Sequence, residues 1–405
     1  MYTTVNIMLS DRINRLSESE TLAMTRKCRE LKENGIDVIN LSIGQPDFNT
    51  PEYIKQAAIR AMEQNFTAYP PVNGFADLRN AICQKLKRDN NLDYKPEQVV
   101  VSTGAKQALA NTIMSLVNPG DEVILPAPYW VSYKELVKLA EGTSVVIQAT
   151  VENDFKITPA QLEEVITEKS RVFLFSSPCN PTGSVYSREE LEALVKVFEK
   201  YPNIYIISDE IYELINFVGK HESIAQFESV RDRVIIVNGV SKGFAMTGWR
   251  LGYLVAPLEI AKACDKIQGQ ITSGACSISQ KAAVAAMLTD PHTSPELQHM
   301  VDVFKKRREL FYGLLKEIPG FKTNYPEGAF YFFPDVTAYF GKKDGYFEIN
   351  NATDLCNYLL DTAYVAIVSG EAFGNPDCIR LSYACSEPEL IESARRIKEA
   401  LSRLV

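Results

Sequence analysis

The chain has 405 residues, 46% of them hydrophobic, and a formal net charge of −8. This length is sufficient for two domains with separate cores. The acidic balance argues against a nucleic-acid-binding protein, which would present a basic face. It does not exclude an anionic substrate, because a site can supply its own arginines and lysines.

The numbers and spacing of cysteines and histidines limit further the kinds of protein and of site that the sequence allows. The eight cysteines are scattered without a C-x-x-C pair, and only three histidines occur. In a chain of this size such cysteines are typical of reduced thiols. The first ten residues lack the basic start and apolar core of a signal peptide. We therefore expect a cytoplasmic protein, with neither a histidine-rich metal site nor a Ser-His-Asp hydrolase site.

The N-terminal part is predicted to contain helices separated by extended segments. Residues 17–20 read S-E-S-E, a capping-box pattern that opens a helix to about residue 33. A short strand over 36–43 and a turn over 44–48 follow. Helices are predicted over 51–64 and 75–90, joined by a rigid, extended loop at 69–74 that contains two prolines.

From residue 98 onward, apolar strands alternate with helices. The predicted strands cover residues 98–103, 121–125, 144–149, 171–176, 204–208, 234–237 and 251–256. The predicted helices cover residues 105–117, 132–140, 159–168 and 188–200. Continuous apolar strands separated by helices indicate an α/β fold, with a mostly parallel sheet of seven strands covered on both faces. In such sheets, ligands bind beyond the carboxyl ends of the strands.

After residue 295 the pattern changes. A long helix over 296–316 precedes short strands near 330–333, 365–368 and 379–383, and a last helix begins at residue 388. This pattern is typical of a smaller α+β domain, and the N-terminal helix is expected to pack on it. The predicted division is a large domain over 49–295 and a small domain formed by 1–48 and 296–405.

The chemistry is centred on residues 241–252, which read S-K-G-F-A-M-T-G-W-R-L-G and follow the strand at 234–237. Taken alone, the position of Lys242 is typical of a surface lysine in a loop. At the end of a core strand and near Arg250, however, its ammonium form is disfavoured, so the free amine becomes a nucleophile that condenses with carbonyls.

Polar residues also follow other predicted strands. Asp209 ends the strand at 204–208, and residues 180–183 (N-P-T-G) follow the strand at 171–176. Residues 104–106 (G-A-K) begin a helix whose free N–H groups suit an anion. Separately, each also fits an ordinary structural role, as a helix cap, a turn or a capped helix.

Two further side chains join this set. Trp130 follows the strand at 121–125, where it is either a core residue or a stacking plate. Arg380 lies inside an apolar strand and needs a buried partner, either a structural carboxylate or a bound one. A Schiff-base lysine, an acid for a pyridinium nitrogen, donors for a phenolate oxygen and a phosphate cradle together specify pyridoxal phosphate.

These motifs identify a resemblance that covers essentially the whole chain. The sequence resembles the class I aspartate aminotransferase family, of fold type I, and most closely its bacterial subgroup. The shared motifs are G-Q-P-D-F at 44–48, A-P-Y-W-V-S-Y at 127–133, N-P-T-G at 180–183, S-D-E-I-Y at 208–212 and the segment 241–252. The family has serine where this chain has Ala127.

The resemblance implies catalytic and cofactor-binding roles for these residues. Lys242 forms the covalent bond to pyridoxal phosphate and then moves a proton. Asp209 pairs with the pyridine nitrogen, and Asn180 and Tyr212 bond the ring's phenolic oxygen. Trp130 stacks on the ring.

The same resemblance implies how the phosphate and the substrate carboxylate are held. Arg250 and the helix start formed by Gly104, Ala105 and Lys106 hold the phosphate, and Tyr69 reaches it from the partner subunit of a homodimer. Arg380 binds the substrate α-carboxylate through two hydrogen bonds, with a backbone N–H near Gly44, and Trp130 and Asn180 border the substrate. Many members carry a serine at the position of Gly239, so the corresponding phosphate contact is expected to come from backbone or water in this chain.

In this subgroup, residues at the positions of Lys106 and Thr21 accompany recognition of a second carboxylate. Aspartate with 2-oxoglutarate is therefore the expected substrate pair. Prephenate, aromatic amino acids and alanine remain open, and so do the lyases and synthases that share this fold and its cofactor residues. A regulator related to aminotransferases is disfavoured, because the chain has no additional DNA-binding segment.

Overall fold

The computed structural model describes residues 8–18 and 20–405, and this part of the chain is organised around one large sheet. The strands are β1 (Ile39–Asn40), β2 (Val99–Ser102), β3 (Glu122–Ala127), β4 (Thr143–Gln148), β5 (Ser170–Ser176), β6 (Tyr205–Asp209), β7 (Val234–Gly239), β8 (Gly252–Val255), β9 (Tyr331–Phe332), β10 (Lys343–Asp344), β11 (Phe347–Glu348), β12 (Val365–Ala366), β13 (Val368–Ser369) and β14 (Ile379–Ser382). Seven of them form the central sheet, in the order β2-β8-β7-β6-β5-β3-β4.

All neighbours in the central sheet run parallel except β8, which is antiparallel to both β2 and β7. The predicted α/β class and mostly parallel sheet are confirmed. Strands β2, β6 and β7 are buried along almost their whole length, as expected for strands covered on both faces. The carboxyl ends of β5, β6 and β7 therefore meet at one edge of the sheet.

Helices cover both faces of this sheet, and further helices lie in the rest of the chain. They are α1 (Asp11–Asn14), α2 (Glu20–Glu33), α3 (Glu52–Glu63), α4 (Ala76–Asn90), α5 (Ala105–Leu116), α6 (Ser132–Leu139), α7 (Pro159–Val165), α8 (Arg188–Phe198), α9 (Glu228–Arg231), α10 (Leu258–Ile271), α11 (Ser277–Leu288), α12 (Pro295–Lys316), α13 (Ala352–Ala363) and α14 (Glu387–Leu401). Within the described ranges, none of them is both long and apolar enough to cross a bilayer.

Side chains of the central strands alternate between two apolar layers. Phe173 and Ile206 pack in one layer, with residues of α3, α4, α8 and α11. Their neighbours Leu174 and Ile207 pack in the opposite layer, with residues of α5, α6 and α10. Successive strand residues point to opposite faces, so a single apolar run supplies both layers. This arrangement holds the sheet rigidly beneath its carboxyl edge.

A third apolar cluster joins the two ends of the chain. It contains residues of α2 and β1 together with residues of α12, α13, α14, β9 and β14. Strand β1 pairs in parallel with β12, with Ile39 opposite Val365. The N-terminal segment thus packs on the C-terminal region. The proposed boundaries at 48/49 and 295/296 stay a prediction.

The structure also differs from the sequence prediction in places. The strand predicted over 36–43 is reduced to β1, because only residues 39 and 40 find a partner strand. Helices α10, α11 and α13 were not predicted; α11 is rich in alanine and buried on several sides, so its apolar pattern lacks a clear stripe. Within the predicted capping box, Ser19 lies outside the described residues.

Candidate active site

A cavity of about 530 Å³ lies at the carboxyl edge of the central sheet, where the third cluster meets it. This volume is in the range of small-molecule sites. Most of the sequence-predicted residues line it: Thr21, Gly44, Ala105, Lys106, Trp130, Asn180, Asp209, Tyr212, Lys242, Arg250 and Arg380. Gly104 adjoins it before Ala105. Tyr69 does not line the cavity of its own chain, and its side chain is 92% exposed.

Lys242 follows β7 and extends into the cavity, where its Nζ donates a hydrogen bond to the carbonyl oxygen of Gly44. Burial and the positive charges of Arg380 and Arg250 together lower its pKa to about 7. A substantial fraction of the side chain is therefore a free amine at neutral pH. A solvated surface lysine would keep its proton, so the structure rejects that alternative.

Asp209 is the last residue of β6 and is 4% exposed. Its Oδ2 accepts a hydrogen bond of 2.7 Å from the Tyr133 hydroxyl, and its Oδ1 accepts one of 3.3 Å from the backbone N–H of Ile211. Burial raises the pKa of the carboxyl to about 6. No lysine or arginine of the described chain forms an ion pair with it, so this acid suits a cationic nitrogen in the cavity.

Tyr212 and Asn180 present hydrogen-bond donors beside this acid. The Tyr212 hydroxyl lies 2.7 Å from that of Tyr331, and burial raises the pKa of Tyr212 well above its usual range, so it keeps its proton. The Oδ1 of Asn180 accepts a 3.0 Å bond from Arg380. The amide NH₂ of Asn180 is consequently the group left for a ligand.

Arg380 lies in β14 and is only 1% exposed. Its Nη1 donates a hydrogen bond of 3.0 Å to Asn180 Oδ1, and its Nη2 donates one of 2.6 Å to the carbonyl oxygen of Ser42. The rings of Tyr331 and Phe373 lie 4.6 and 4.9 Å from the guanidinium carbon. Among residues 8–18 and 20–405 no carboxylate pairs with Arg380, so the alternative of a structural salt bridge is wrong. A buried guanidinium without a counterion is a receptor for an anion.

A second anion site is formed where α5 begins. Gly104 has φ +82°, and a Cβ at this position would lie 2.5 Å from Nη2 of Arg250. The missing side chain thus lets the guanidinium lie against the helix start, whose first N–H groups have no intrahelical partner. The hydroxyl side chains of Ser241 and Thr247 also line this end of the cavity. Together these donors form a site that suits an anion.

Lys106 lies at the mouth of the same cavity. Its Nζ is 4.9 Å from the centre of the Trp130 ring, and burial together with the charge of Arg250 lowers its pKa. Thr21 of α2 lines the cavity as well. Lys106 therefore borders the cavity, and its expected role with a second carboxylate stays a prediction.

The packing of β7 against β8 explains why residue 239 is a glycine. Gly239 pairs with Gly252 across β7 and β8, and a Cβ at 239 would lie 2.8 Å from the Cα of Gly252. A serine here would therefore collide with backbone. Ser241, two residues later, lines the cavity. The expected replacement of one phosphate contact by backbone or water stays a prediction.

Two tyrosines with contacts to site residues were missed by the sequence reasoning. Tyr133 was part of the motif at 127–133 but received no role, and Tyr331 was known only as part of a predicted strand. Both hydroxyls contact partners far away in sequence, Asp209 and Tyr212. No local pattern signals such contacts, although a tyrosine in an apolar segment does call for a buried hydrogen-bond partner.

One group outside the cavity has the composition of a metal site. Glu210, Glu213 and His221 place ligand atoms within 4.8 Å of one another. The Nζ of Lys85 forms an ion pair with Glu213, and Nε2 of His221 lies 3.1 Å from Glu210. Each of these two acids thus already lies against a basic side chain of the chain, and this favours a structural cluster.

Relatives of known name match the chain over almost its full length. A protein from Petunia hybrida named bifunctional aspartate aminotransferase and glutamate/aspartate-prephenate aminotransferase is 47% identical over 399 residues, covering 98% of this chain and 83% of that protein. Aspartate aminotransferase from Bacillus subtilis (strain 168) is 45% identical over 397 residues, covering 98% and 99%.

Solved structures show the same fold. The crystal structure of aspartate aminotransferase from Rhizobium meliloti superposes with a TM-score of 0.94 at 40% identity, covering 99% of this chain and 100% of that one. Aspartate aminotransferase from Thermus thermophilus with maleate gives a TM-score of 0.91 at 36% identity, covering 97% and 100%.

The family model described as aminotransferase class I and II matches residues 36–397. This range includes the seven-stranded sheet and nearly all of the residues that line the cavity; Thr21 and Thr25 of α2 precede it. The chain therefore belongs to the class I and II aminotransferase family.

Proposed function

We propose that the protein is a pyridoxal-phosphate-dependent aminotransferase that moves the α-amino group of L-aspartate to 2-oxoglutarate. One observation carries the proposal. A single cavity holds an amine with a lowered pKa, together with a buried acid and two arginines that form no ion pair among the described residues. Each of these groups lacks a partner that one cofactor–substrate pair would supply.

The donor set fits pyridoxal phosphate. Asp209 would hold the ring nitrogen, and Tyr212 with Asn180 would bond the phenolic oxygen. Arg250 and the start of α5 would hold the phosphate, while Trp130 would cover the ring. When bound, the cofactor supplies an electron sink that stabilises negative charge on the substrate α-carbon.

Lys242 is the proton carrier in this proposal. Since its pKa is near 7, Nζ is able both to accept a proton from the substrate α-carbon and to return one. Arg380 binds the substrate α-carboxylate and so keeps the α-carbon within reach of Nζ. The buried Tyr331 and Phe373 rings against Arg380 keep water from its guanidinium.

Lys106 and Thr21 give the preference for an acidic substrate. A hydrogen bond to a charged group contributes roughly 1.5–3 kcal/mol, so Lys106→Ala should lower kcat/KM for aspartate and glutamate about 10- to 100-fold. An apolar amino acid should lose little. Lys134→Ala is a matched control, because Lys134 is exposed on α6 and does not line the cavity. Equal losses for both kinds of substrate would assign Lys106 to the phosphate instead.

The active form is proposed to be a homodimer with shared sites. Tyr69 is 92% exposed in the single chain, which suits a residue that enters the partner's cavity. We also propose that residues 49–295 form the large domain, and that 1–48 with 296–405 form the small one. Tyr69→Phe should weaken cofactor binding. Mixing this variant with an inactive Lys242→Ala chain should restore part of the activity, because some hybrid sites then carry both native residues.

The decisive experiment is a half-reaction. The purified protein with bound cofactor would receive one L-amino acid at a time, without an oxo acid, while the visible spectrum and the products are recorded. A stable change to the amine form of the cofactor, fastest with aspartate and glutamate, would support the proposal. Release of ammonia or of an eliminated group would indicate a lyase or synthase, and no visible cofactor would contradict the assignment.

A second candidate substrate is prephenate as the amino acceptor. The Petunia relative at 47% identity carries prephenate in its name, as does a relative from Rhizobium leguminosarum bv. phaseoli at 45% identity. After conversion of the cofactor to its amine form with aspartate, prephenate and 2-oxoglutarate would be added in parallel. Recovery of the original spectrum by 2-oxoglutarate alone would restrict the activity to the first pair.

A further inference from the structure

Tyr331 is a buried residue that does not line the cavity but contacts two residues that do. It lies in β9, is 0% exposed and pairs with Ser382 of β14, two residues after Arg380. Its hydroxyl is 2.7 Å from that of Tyr212, and its ring centre is 4.6 Å from the guanidinium carbon of Arg380.

The approach of Tyr331 depends on the glycine at 44. A Cβ at Gly44 would lie 3.0 Å from the Tyr331 hydroxyl oxygen. The same glycine accepts a hydrogen bond from Lys242 through its carbonyl oxygen. Tyr331 is thus packed among the groups proposed to hold the ring oxygen, the substrate carboxylate and the catalytic amine.

Proton counting sets the direction of the tyrosine–tyrosine bond. Each hydroxyl carries one proton. If Tyr212 donates its proton to the phenolic oxygen of the cofactor, its own oxygen has to accept the proton of Tyr331. The resulting chain runs from Tyr331 to Tyr212 to the ligand, and such chains strengthen each successive bond.

We propose that Tyr331 is a positioning residue that strengthens the donor Tyr212 through its hydroxyl and orients the carboxylate receptor Arg380 through its ring. This inference rests on the proposed function, since both partners act on the cofactor–substrate pair. Tyr331 itself touches neither. The two ends of the site are thereby held by one side chain.

The test is a pH titration of the visible spectrum of the protein with bound cofactor and without substrate. Tyr331→Phe removes only the hydroxyl. It should weaken stabilisation of the cofactor's ionised phenolic oxygen, which raises the spectral pKa by about 0.5–1 unit, as expected for one hydrogen bond. In a Tyr212→Phe background the same substitution should produce no further shift, because the chain is already broken.

Tyr383→Phe is the matched control. Tyr383 is also 0% exposed, and its hydroxyl donates over 3.2 Å to the carbonyl oxygen of Ala329 rather than to a site residue. It should leave the spectral pKa unchanged. Tyr331→Leu removes the ring as well. It should add a roughly 3- to 10-fold increase in KM for aspartate that Tyr331→Phe does not show, because a cation–ring contact is lost.

The outcomes separate this inference from the proposed function. A full-size shift for Tyr331→Phe in the Tyr212→Phe background, or an equal shift for Tyr383→Phe, would overturn the role of the hydroxyl. Equal KM values for Tyr331→Leu and Tyr331→Phe would overturn the role of the ring. Absence of a visible band in the unsubstituted protein would instead refute the proposed function, and this inference with it.

Discussion

Two adjacent acids at the end of β6 have opposite surroundings. Asp209 faces the cavity, where it has hydrogen bonds but no ion pair with any described residue, and burial raises its pKa. Glu210 is 0% exposed, and its Oε1 accepts bonds of 2.9 and 2.6 Å from Ser208 and Ser223, while His221 lies 3.1 Å from its Oε2. Burial alone would raise the pKa of Glu210, but His221 and the two hydroxyls lower it overall.

The residues around Glu210 form what we call the rear cluster: Lys85, Glu210, Glu213 and His221. The ion pairs Lys85–Glu213 and His221–Glu210 balance its two negative charges. Burial alone would lower the pKa of His221, yet the charge of Glu210 raises it overall. Both acids of the rear cluster therefore have basic partners within the chain, although Glu213 Oε2 and His221 Nδ1 form no hydrogen bond among the described residues.

The charged groups that face the cavity are not paired in this way among the described residues. Asp209, Lys242 and Arg380 line the cavity, and among the described residues none of them forms an ion pair, although the charges of Asp209 and Lys242 attract each other. Burying an unpaired charge is unfavourable, and such groups persist where function requires them. The comparison shows that the candidate active site differs from the rear cluster in lacking ion-pair partners among the described residues, and not in burial or in charge.

The largest expected effect separates the two buried lysines. Lys242→Ala should reduce turnover by about 10⁴-fold or more, because it removes the proposed proton carrier, and should not destabilise the fold. Lys85→Met should instead destabilise the protein by roughly 3–5 kcal/mol by leaving Glu213 without its cation. Steady-state turnover and urea unfolding of both variants check this. Turnover above trace in Lys242→Ala would contradict its assigned role.

The next effect concerns the two adjacent acids. Glu210→Gln should cost roughly 3–4 kcal/mol of unfolding free energy, because His221 loses its counterion, and the folded fraction should remain active. Asp209→Asn should abolish most activity but stabilise the cofactor-free protein at pH 7. A carboxyl with a raised pKa costs stability as pH rises from 3.8, and the full cost is present above about pH 6. Similar losses of stability in both variants would refute the distinction.

The rear cluster should also give a defined pH window of stability. The lowered pKa of Glu210 stabilises the fold above about pH 4.5, and this contribution is lost as pH falls through the folded pKa. The raised pKa of His221 stabilises the fold below about pH 6.5, and this contribution is lost as pH rises through its folded pKa. Urea unfolding from about pH 3 to about pH 9 should show both slopes. In Glu210→Gln the acid slope should be absent and the alkaline slope reduced, because Glu213 still raises the pKa of His221.

A smaller effect is the titration of the Lys242 amine. In the cofactor-free protein, reductive labelling with a small aldehyde should rise with pH around a midpoint near 7, because only the free amine reacts. Arg380→Leu should raise this midpoint by on the order of one unit, since it removes a neighbouring positive charge. Peptide mass spectrometry measures both values. A midpoint near 10 in the unsubstituted protein would show that the amine is not perturbed.

The smallest effect is expected from Tyr133→Phe. Removing one hydrogen bond to Asp209 should weaken cofactor binding by about 5- to 10-fold. Tyr186→Phe is the control, because the Tyr186 hydroxyl is also buried but accepts from the backbone N–H of Ile157. Fluorescence titration of the cofactor-free protein measures both affinities. Equal losses would indicate a general packing effect.

The sequence by itself determined the central architecture and most of the cavity. Apolar runs such as 171–176 and 234–237 are strands because only a sheet covered on both faces buries them completely. Residues just beyond such strands share one edge, so Asp209, Asn180 and Lys242 were predictable as neighbours. Family motifs added Tyr212 and Arg380, whose local context alone favours neither a structural nor a catalytic role.

Only the tertiary structure decided which of these charges have partners. Arg380 reaches Asn180 across 200 residues and Ser42 across 338, and Tyr331 reaches Tyr212 across 119. The rear cluster likewise joins α4 to the segment after β6 through Lys85 and Glu213. Periodicity and motifs record local backbone preference, whereas a buried ion pair or hydrogen bond depends on distant elements that only the packed fold brings together.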